Sequence, residues 1–207
     1  MTFWDFSAPL YDLAETVNGK AYNVMLKIIR ELIPKNASVL EAAAGTGSIS
    51  LAASENASHI LCTDISERML NVARRKVKKA RAKNITVENR SIYDLNEPDS
   101  SFDIVIAGQV LHLIHEPEVA ASELRRVAKS MVVLPMSLTK DLCGMAKVNI
   151  GVYKLFGFSP KIEFDDNSYK AFLPTIGFND CEFVTLNGKI PMMVAVWKKG
   201  TFSDATA

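Results

Sequence analysis

The sequence predicts an α/β protein built on a seven-stranded, mostly parallel sheet, with an antiparallel last strand and helices on both faces. Three observations lead there. Short apolar runs alternate with helical stretches through the first two thirds of the chain. A glycine turn follows the first of these runs. The last two β-rich runs are joined through Asn187-Gly188, a strong hairpin signal that sets the final strand antiparallel to its neighbour.

The elements follow in order. Tyr22, Met25, Ile29 and Leu32 recur at helical spacing and predict a leading helix over 18–33 that stops at Pro34. Buried strands are expected at 38–41, 59–63, 85–89, 102–107 and 130–134. A short helix opens near 46–48. Ser66 is placed to cap a third helix whose buried face is read as Met69, Ala73, Val77 and Ala80. A further helix should begin at Pro117 and bury Val119, Leu124 and Val127. After Leu134 the rhythm changes, and a helix is expected across 139–156 and another over 168–176. The β-rich runs 181–186 and 190–198 close the fold.

At 207 residues the chain suits one domain, 1–207, with a tail after Gly200 that is expected to fray. Apolar residues make up 48% and charged residues 23%, a balance that excludes intrinsic disorder. The net charge of +1 predicts neither a polyanionic partner nor a membrane surface from composition alone. No apolar stretch is long enough to span a bilayer, and the opening MTFWDFSAPLYD lacks a signal-peptide pattern, so a cytoplasmic location is expected. Cys62, Cys143 and Cys181 lack metal-ligand spacing and read as scattered free thiols; no metal site is expected.

The segment SVLEAAAGTGSISLAA carries the most chemistry. A strand ends in Glu41, and a turn holding Gly45, Thr46 and Gly47 leads into a helix. Glycines there let a ligand approach the backbone, and a helix start offers free N–H groups. A dinucleotide fingerprint would place glycine or alanine at position 50, where Ser50 stands. Asp64, seventeen residues beyond Gly47, ends the second strand, where a carboxylate can accept bonds from both hydroxyls of a ribose. These features call for an adenosine cofactor.

The acidic strand end before the turn resembles the first motif of class I methyltransferases, Asp/Glu-x-Gly-x-Gly-x-Gly. Ala43 replaces the first glycine and is expected to keep φ below zero. IVIAGQVLHLIHEPEVAASELRRVAK is similar to the segment after the fourth strand in small-molecule methyltransferases of the ubiquinone/menaquinone-biosynthesis group (type 11). With EAAAGTG, TDISERML and the opening APLYD, the resemblance covers mainly residues 39–134. It implies a Rossmann-like fold, S-adenosylmethionine as cofactor and S-adenosylhomocysteine as product. It also implies that Glu41, Ala43 and the Gly45, Thr46, Gly47 turn hold the methionine and ribose side, with Asp64 on the ribose hydroxyls. Ile65 and Met69 would pack on the adenine. Ser91 and the backbone of Ile92 would recognise it, Arg90-Ser91-Ile92 standing where relatives carry Gly-Asp-Ala. Gly108 and Gln109 would lie beside the methionine portion, with Tyr11 closing over it.

A sulfonium methyl is already activated, so the protein needs to align a nucleophile and exclude water rather than supply a nucleophilic triad. Where the acceptor carries a proton, His112 is the first candidate for a general base and His115 the second, whereas His59 reads as structural. The segment 136–164 is read as an acceptor lid, with Met136, Leu142, Met145, Val152, Tyr153, Phe156 and Phe158 implying a partly apolar small molecule. Ala107-Gly108-Gln109-Val110 occupies the place of the Asn/Asp-Pro-Pro-Tyr signature, which argues against adenine or glutamine N-methylation. Three other readings stay open: a nicotinamide oxidoreductase; an RNA methyltransferase using the basic run Arg74, Arg75, Lys76, Lys78, Lys79, Arg81 and Lys83; and a non-catalytic S-adenosylmethionine-binding regulator. The basic run is expected to be a solvated helix face, with no nucleic-acid partner.

Overall fold

The computed structural model describes residues 19–140, 142, 144 and 159–200. Helix α1 (Gly19–Leu32) buries Ala21, Met25 and Ile29, which follow one another at intervals of one turn. It ends where Pro34 cannot continue the ladder. Strands β1 (Ser38–Glu41), β2 (His59–Asp64), β3 (Ile85–Asn89) and β4 (Phe102–Ile106) are separated by helix α2 (Ser48–Ala53) and helix α3 (Glu67–Ala80). Helix α4 (Pro117–Val127) leads into β5 (Ala128–Ser137), and helix α5 (Asp166–Thr175) into β6 (Glu182–Leu186) and β7 (Met192–Lys198).

The seven strands form one sheet in the order β3-β2-β1-β4-β5-β7-β6. Strands β1 to β5 are parallel, and β7 runs antiparallel between β5 and β6. Side chains alternate across the pleat. Val39, Ile60, Ile104 and Val133 pack with Met25 and Ile29 of α1 on one face. Leu40, Leu61, Val105 and Val132 pack with Leu124 of α4 and Tyr169 of α5 on the other. Both faces are therefore covered, as strands of a parallel sheet require.

Local signals account for the boundaries. The Ser66 hydroxyl accepts from Met69 N at the start of α3, and Pro117 opens α4. Asp165 and Ser168 form a reciprocal capping box at α5. Several expectations need correction. Val119 is 43% exposed; it sits five residues before Leu124, about 140° round the helix from it, while Ala120 and Ala121 take the buried positions. On α3, Ala80 is exposed and Leu70 is buried beside Met69 and Ala73. Residues 187–191 all lie between β6 and β7, so the hairpin loop is longer than Asn187-Gly188 alone. Strand β5 is twice the predicted length and takes in Met136, which is core. Thr139 and Lys140 are outside any helix. Most of the expected lid, including Met145, Val152, Tyr153, Phe156 and Phe158, lies outside the described residues, as do the tail 201–207 and Tyr11. No helix among the described residues is long and apolar enough to cross a membrane.

Candidate cofactor and methyl-transfer site

The strand order reverses between β1 and β4, and the carboxyl ends of β3, β2, β1 and β4 stand side by side. A pocket of about 270 Å³ opens there. Glu41 ends β1, Asp64 ends β2, Arg90 to Tyr93 follow β3, and Gly108 to Val110 follow β4; all of them line it. The backbone around it is held in demanding conformations. Gly45 and Gly47 have φ of 55° and 73°, and the non-glycine residues Ala43 and Gln109 have φ of 53° and 56°. The expectation of a negative φ at Ala43 is thus overturned: the turn needs the left-handed conformation there, and alanine occupies it at a cost of about 1–2 kcal/mol. Gln109 is anchored from both sides, its N–H donating to Pro135 O (2.9 Å) and its Oε1 accepting from Ser137 N (3.0 Å).

The two carboxylates are fixed by the backbone. Asp64 Oδ2 accepts from Gly45 N and Oδ1 from Ser66 N, both at 2.8 Å, so Asp64 ties the glycine turn to the start of α3. A carboxylate oxygen can accept more than one bond, so a ligand hydroxyl can share either of them. Glu41 is 2% exposed and accepts from Ser50 N at 2.7 Å and from the Ser50 hydroxyl. This contact decides what the α2 start can bind. The N–H of Ser50 that a pyrophosphate would seek is already taken by the protein's own anion, so this glycine turn is unsuited to a dinucleotide.

On the far side of the turn, Lys76 Nζ donates to Thr46 Oγ1 (3.1 Å) and Ser48 Oγ (2.7 Å), bracing the loop from α3. Cys62 lies beneath Gly47, whose added Cβ would sit 3.6 Å from its Sγ. Burial, and next the charge of Glu41, push that thiol up to about 12. Arg90 reaches Glu88 and Glu97 at 2.6 Å each. Burial opposes its charge, yet the bonds to the two glutamates outweigh burial and hold the guanidinium above its usual range. The two glutamates more than offset that cation, so with Glu41 and Asp64 in the lining the site favours a cationic ligand.

Of the expected cofactor residues, Glu41, Ala43, Gly45, Asp64, Ile65, Met69, Ser91, Ile92, Gly108 and Gln109 line this one pocket. Ile65 is 72% exposed at its rim and Met69 is buried in its wall. Thr46 and Gly47 are not in the lining; Thr46 is buried and bonded to Lys76. Ser91 Oγ accepts from Tyr93 N at 3.2 Å. His112 is not at the mouth as expected. It is 9% exposed and outside the lining, although Val110, Leu113 and Ile114 around it face the pocket. Burial lowers its pKa to about 4, so near neutrality it is an uncharged and weak base. Tyr22 and Met25 from α1, with Ile49, Arg90 and Tyr93, were missed as lining residues. The helical spacing that identified Tyr22 and Met25 shows a packing face, and only the tertiary arrangement shows that this face reaches the pocket.

Residues 39–131 match a family model described as a methyltransferase domain. Over 130 residues the chain is 31% identical to a demethylmenaquinone methyltransferase of Listeria welshimeri, covering 59% of this chain and 54% of that protein. The chain thus spans about half the length of that relative. It is 25% identical over 203 residues to a ubiquinone/menaquinone biosynthesis C-methyltransferase of Legionella pneumophila, covering 86% and 80% of the two chains. The crystal structure of an S-adenosylmethionine-dependent methyltransferase from Aquifex aeolicus superposes with a TM-score of 0.64 at 21% identity, covering 88% of this chain and 92% of that one. By sequence the chain is similar to methyltransferases of the ubiquinone/menaquinone-biosynthesis type, and its fold is that of a solved S-adenosylmethionine-dependent methyltransferase.

Proposed function

We propose that the protein transfers the methyl group of S-adenosylmethionine to a small, partly apolar acceptor by in-line displacement. The observation that carries this reading is the convergence of Glu41, Asp64 and the Gly45 turn in one pocket at the strand-order reversal. Two carboxylates suit a ligand bearing a sulfonium and an ammonium group, and Glu41 on Ser50 N disfavours a pyrophosphate. The cofactor would be held by Asp64 at the ribose hydroxyls and by Glu41 and Gly45 on the ribose and methionine side. Ser91, Ile92, Ile65 and Met69 would surround the adenine, and Gly108 and Gln109 the methionine portion; Tyr11 is proposed to close over it. Bound there, it supplies a methyl group already activated for displacement.

The chain's own work is then orientation and exclusion of water. Tyr22, Met25, Leu113 and Ile114 give the pocket an apolar side on which a flat, partly apolar acceptor can rest. The relatives act, by their names, on quinone precursors, which fits an acceptor of that character. His112 is assigned to the structure of the wall, because it is buried outside the lining and its neutral imidazole is a weak base.

The test is transfer of labelled methyl from S-adenosylmethionine into demethylmenaquinol, other hydroxylated aromatics and bulk RNA. Label should enter the apolar aromatic acceptors, and Asp64→Ala should lower transfer on the order of 100-fold. Label in RNA, or in none of the acceptors, would overturn the reading.

A further inference from the structure

The charge of this chain is concentrated. Residues 67–83 hold eight Lys or Arg and a single Glu, so this segment carries +7 while all other residues together carry −6. Helix α3 sorts these charges by direction. Met69, Leu70 and Ala73 face inward. Arg74 is paired with Glu67, and Lys76 turns to Thr46 and Ser48 of the glycine turn. At about 100° per residue, Arg68, Arg75 and Lys79 fall along one outward line about 16 Å long, with Lys78 beside it. All four are exposed, and exposed Arg81 and Lys83 continue the stripe past the helix end. Among the described residues, no acidic side chain forms an ion pair with Arg75, Lys78, Lys79, Arg81 or Lys83.

We propose that this face of α3 docks the protein on an anionic lipid surface. Val72, Arg75, Lys76 and Lys79 border an open, shallow depression rather than a cleft that could enclose a strand. No aromatic residue stands between Ser66 and Asn84 to stack a nucleic-acid base. A row of cations without stacking groups matches a plane of phosphate headgroups. The choice of lipid over nucleic acid also rests on the partly apolar acceptor proposed above, which would partition into a bilayer.

Cosedimentation of the full chain with vesicles tests this without reading methyl transfer. Phosphatidylcholine vesicles are compared with vesicles containing about one third phosphatidylglycerol, at low salt and at roughly 0.5 M salt, where screening reaches a few ångströms. Binding should require phosphatidylglycerol and collapse at high salt. Each cation near such a surface contributes about fivefold in partitioning, so Arg75→Glu with Lys79→Glu should weaken binding by ~30-fold or more. The same charge change on α1, Lys20→Glu with Lys27→Glu, should leave most of the binding intact, and thermal melting checks that both variants fold. Equal binding to neutral vesicles, no binding to anionic ones, equal loss in the α1 variant, or tighter binding of single-stranded RNA than of vesicles would each overturn the proposal. A failure of the methyl-transfer reading would show instead in the labelled-methyl assay.

Discussion

Replacing His112 with glutamine should remove a penalty that the folded protein suffers in mild acid. Burial lowers the imidazole's pKa from 6.5 to about 4, so the folded protein keeps it neutral where the unfolded chain protonates it. The unfolded state then binds more protons, and stability falls as pH drops through 6.5 towards 4. Integrated over that interval, the loss from this one residue is about 2 kcal/mol between pH 7 and pH 5, and about 3 kcal/mol by pH 4. Urea denaturation of the wild type and His112→Gln at the two higher pH values measures it. Carboxylates contribute equally to both proteins, so the difference of differences isolates the histidine. The wild type should lose about 2 kcal/mol more than the variant. Identical pH dependence would refute the burial argument. The same variant should keep its pH–rate profile for methyl transfer; loss of transfer with unchanged fold and cofactor affinity would return His112 to the chemistry.

Three other outcomes follow from the site. Ala43→Gly should raise the unfolding free energy measured in urea by about 0.5–1 kcal/mol, because relief of the left-handed strain outweighs the added chain entropy; a lower value would mean that the φ of 53° is not strained. Gly108→Ala should weaken cofactor binding and destabilise the fold by about 1–3 kcal/mol, since its Cβ would meet Ile49 Cδ1 at 3.0 Å and the rigid Pro135 ring at 3.3 Å; calorimetry and denaturation read the two effects separately. Cys62, fully buried and with its thiol pushed up to about 12, should resist thiol reagents at mild alkaline pH until the protein unfolds; rapid labelling in the native state would contradict its placement under the glycine turn.

The strands, the Ser66 cap and the Pro117 start were legible because each rests on a local rule: apolar runs, a short polar cap, a residue without an N–H. The carboxylates Glu41 and Asp64 were legible for a related reason, since each ends a strand whose register is set by its own apolar pattern. What escaped was non-local. No local pattern states that β7 inserts between β5 and β6, because both of its partners are chosen by sheet assembly. Tyr22 and Met25 lie twenty or more residues before Gly45, and their spacing shows only that they pack. His112 looked like a mouth residue because it follows β4 closely; the turn after Val110 carries it into the wall, where its carbonyl accepts from Lys161 N and Ile162 N. The left-handed Ala43 also escaped, because alanine there hides a conformation that glycine would have announced.

The most direct measurement is a calorimetric titration of the chain with S-adenosylhomocysteine and with NAD, repeated on Asp64→Ala. Two bonds from a carboxylate to ribose hydroxyls are together worth about 3 kcal/mol, or roughly 100-fold in affinity. The account predicts one S-adenosylhomocysteine per chain, a roughly 100-fold loss in Asp64→Ala, and no binding of NAD. Binding of NAD at that site, or full affinity for S-adenosylhomocysteine without the Asp64 carboxylate, would contradict it.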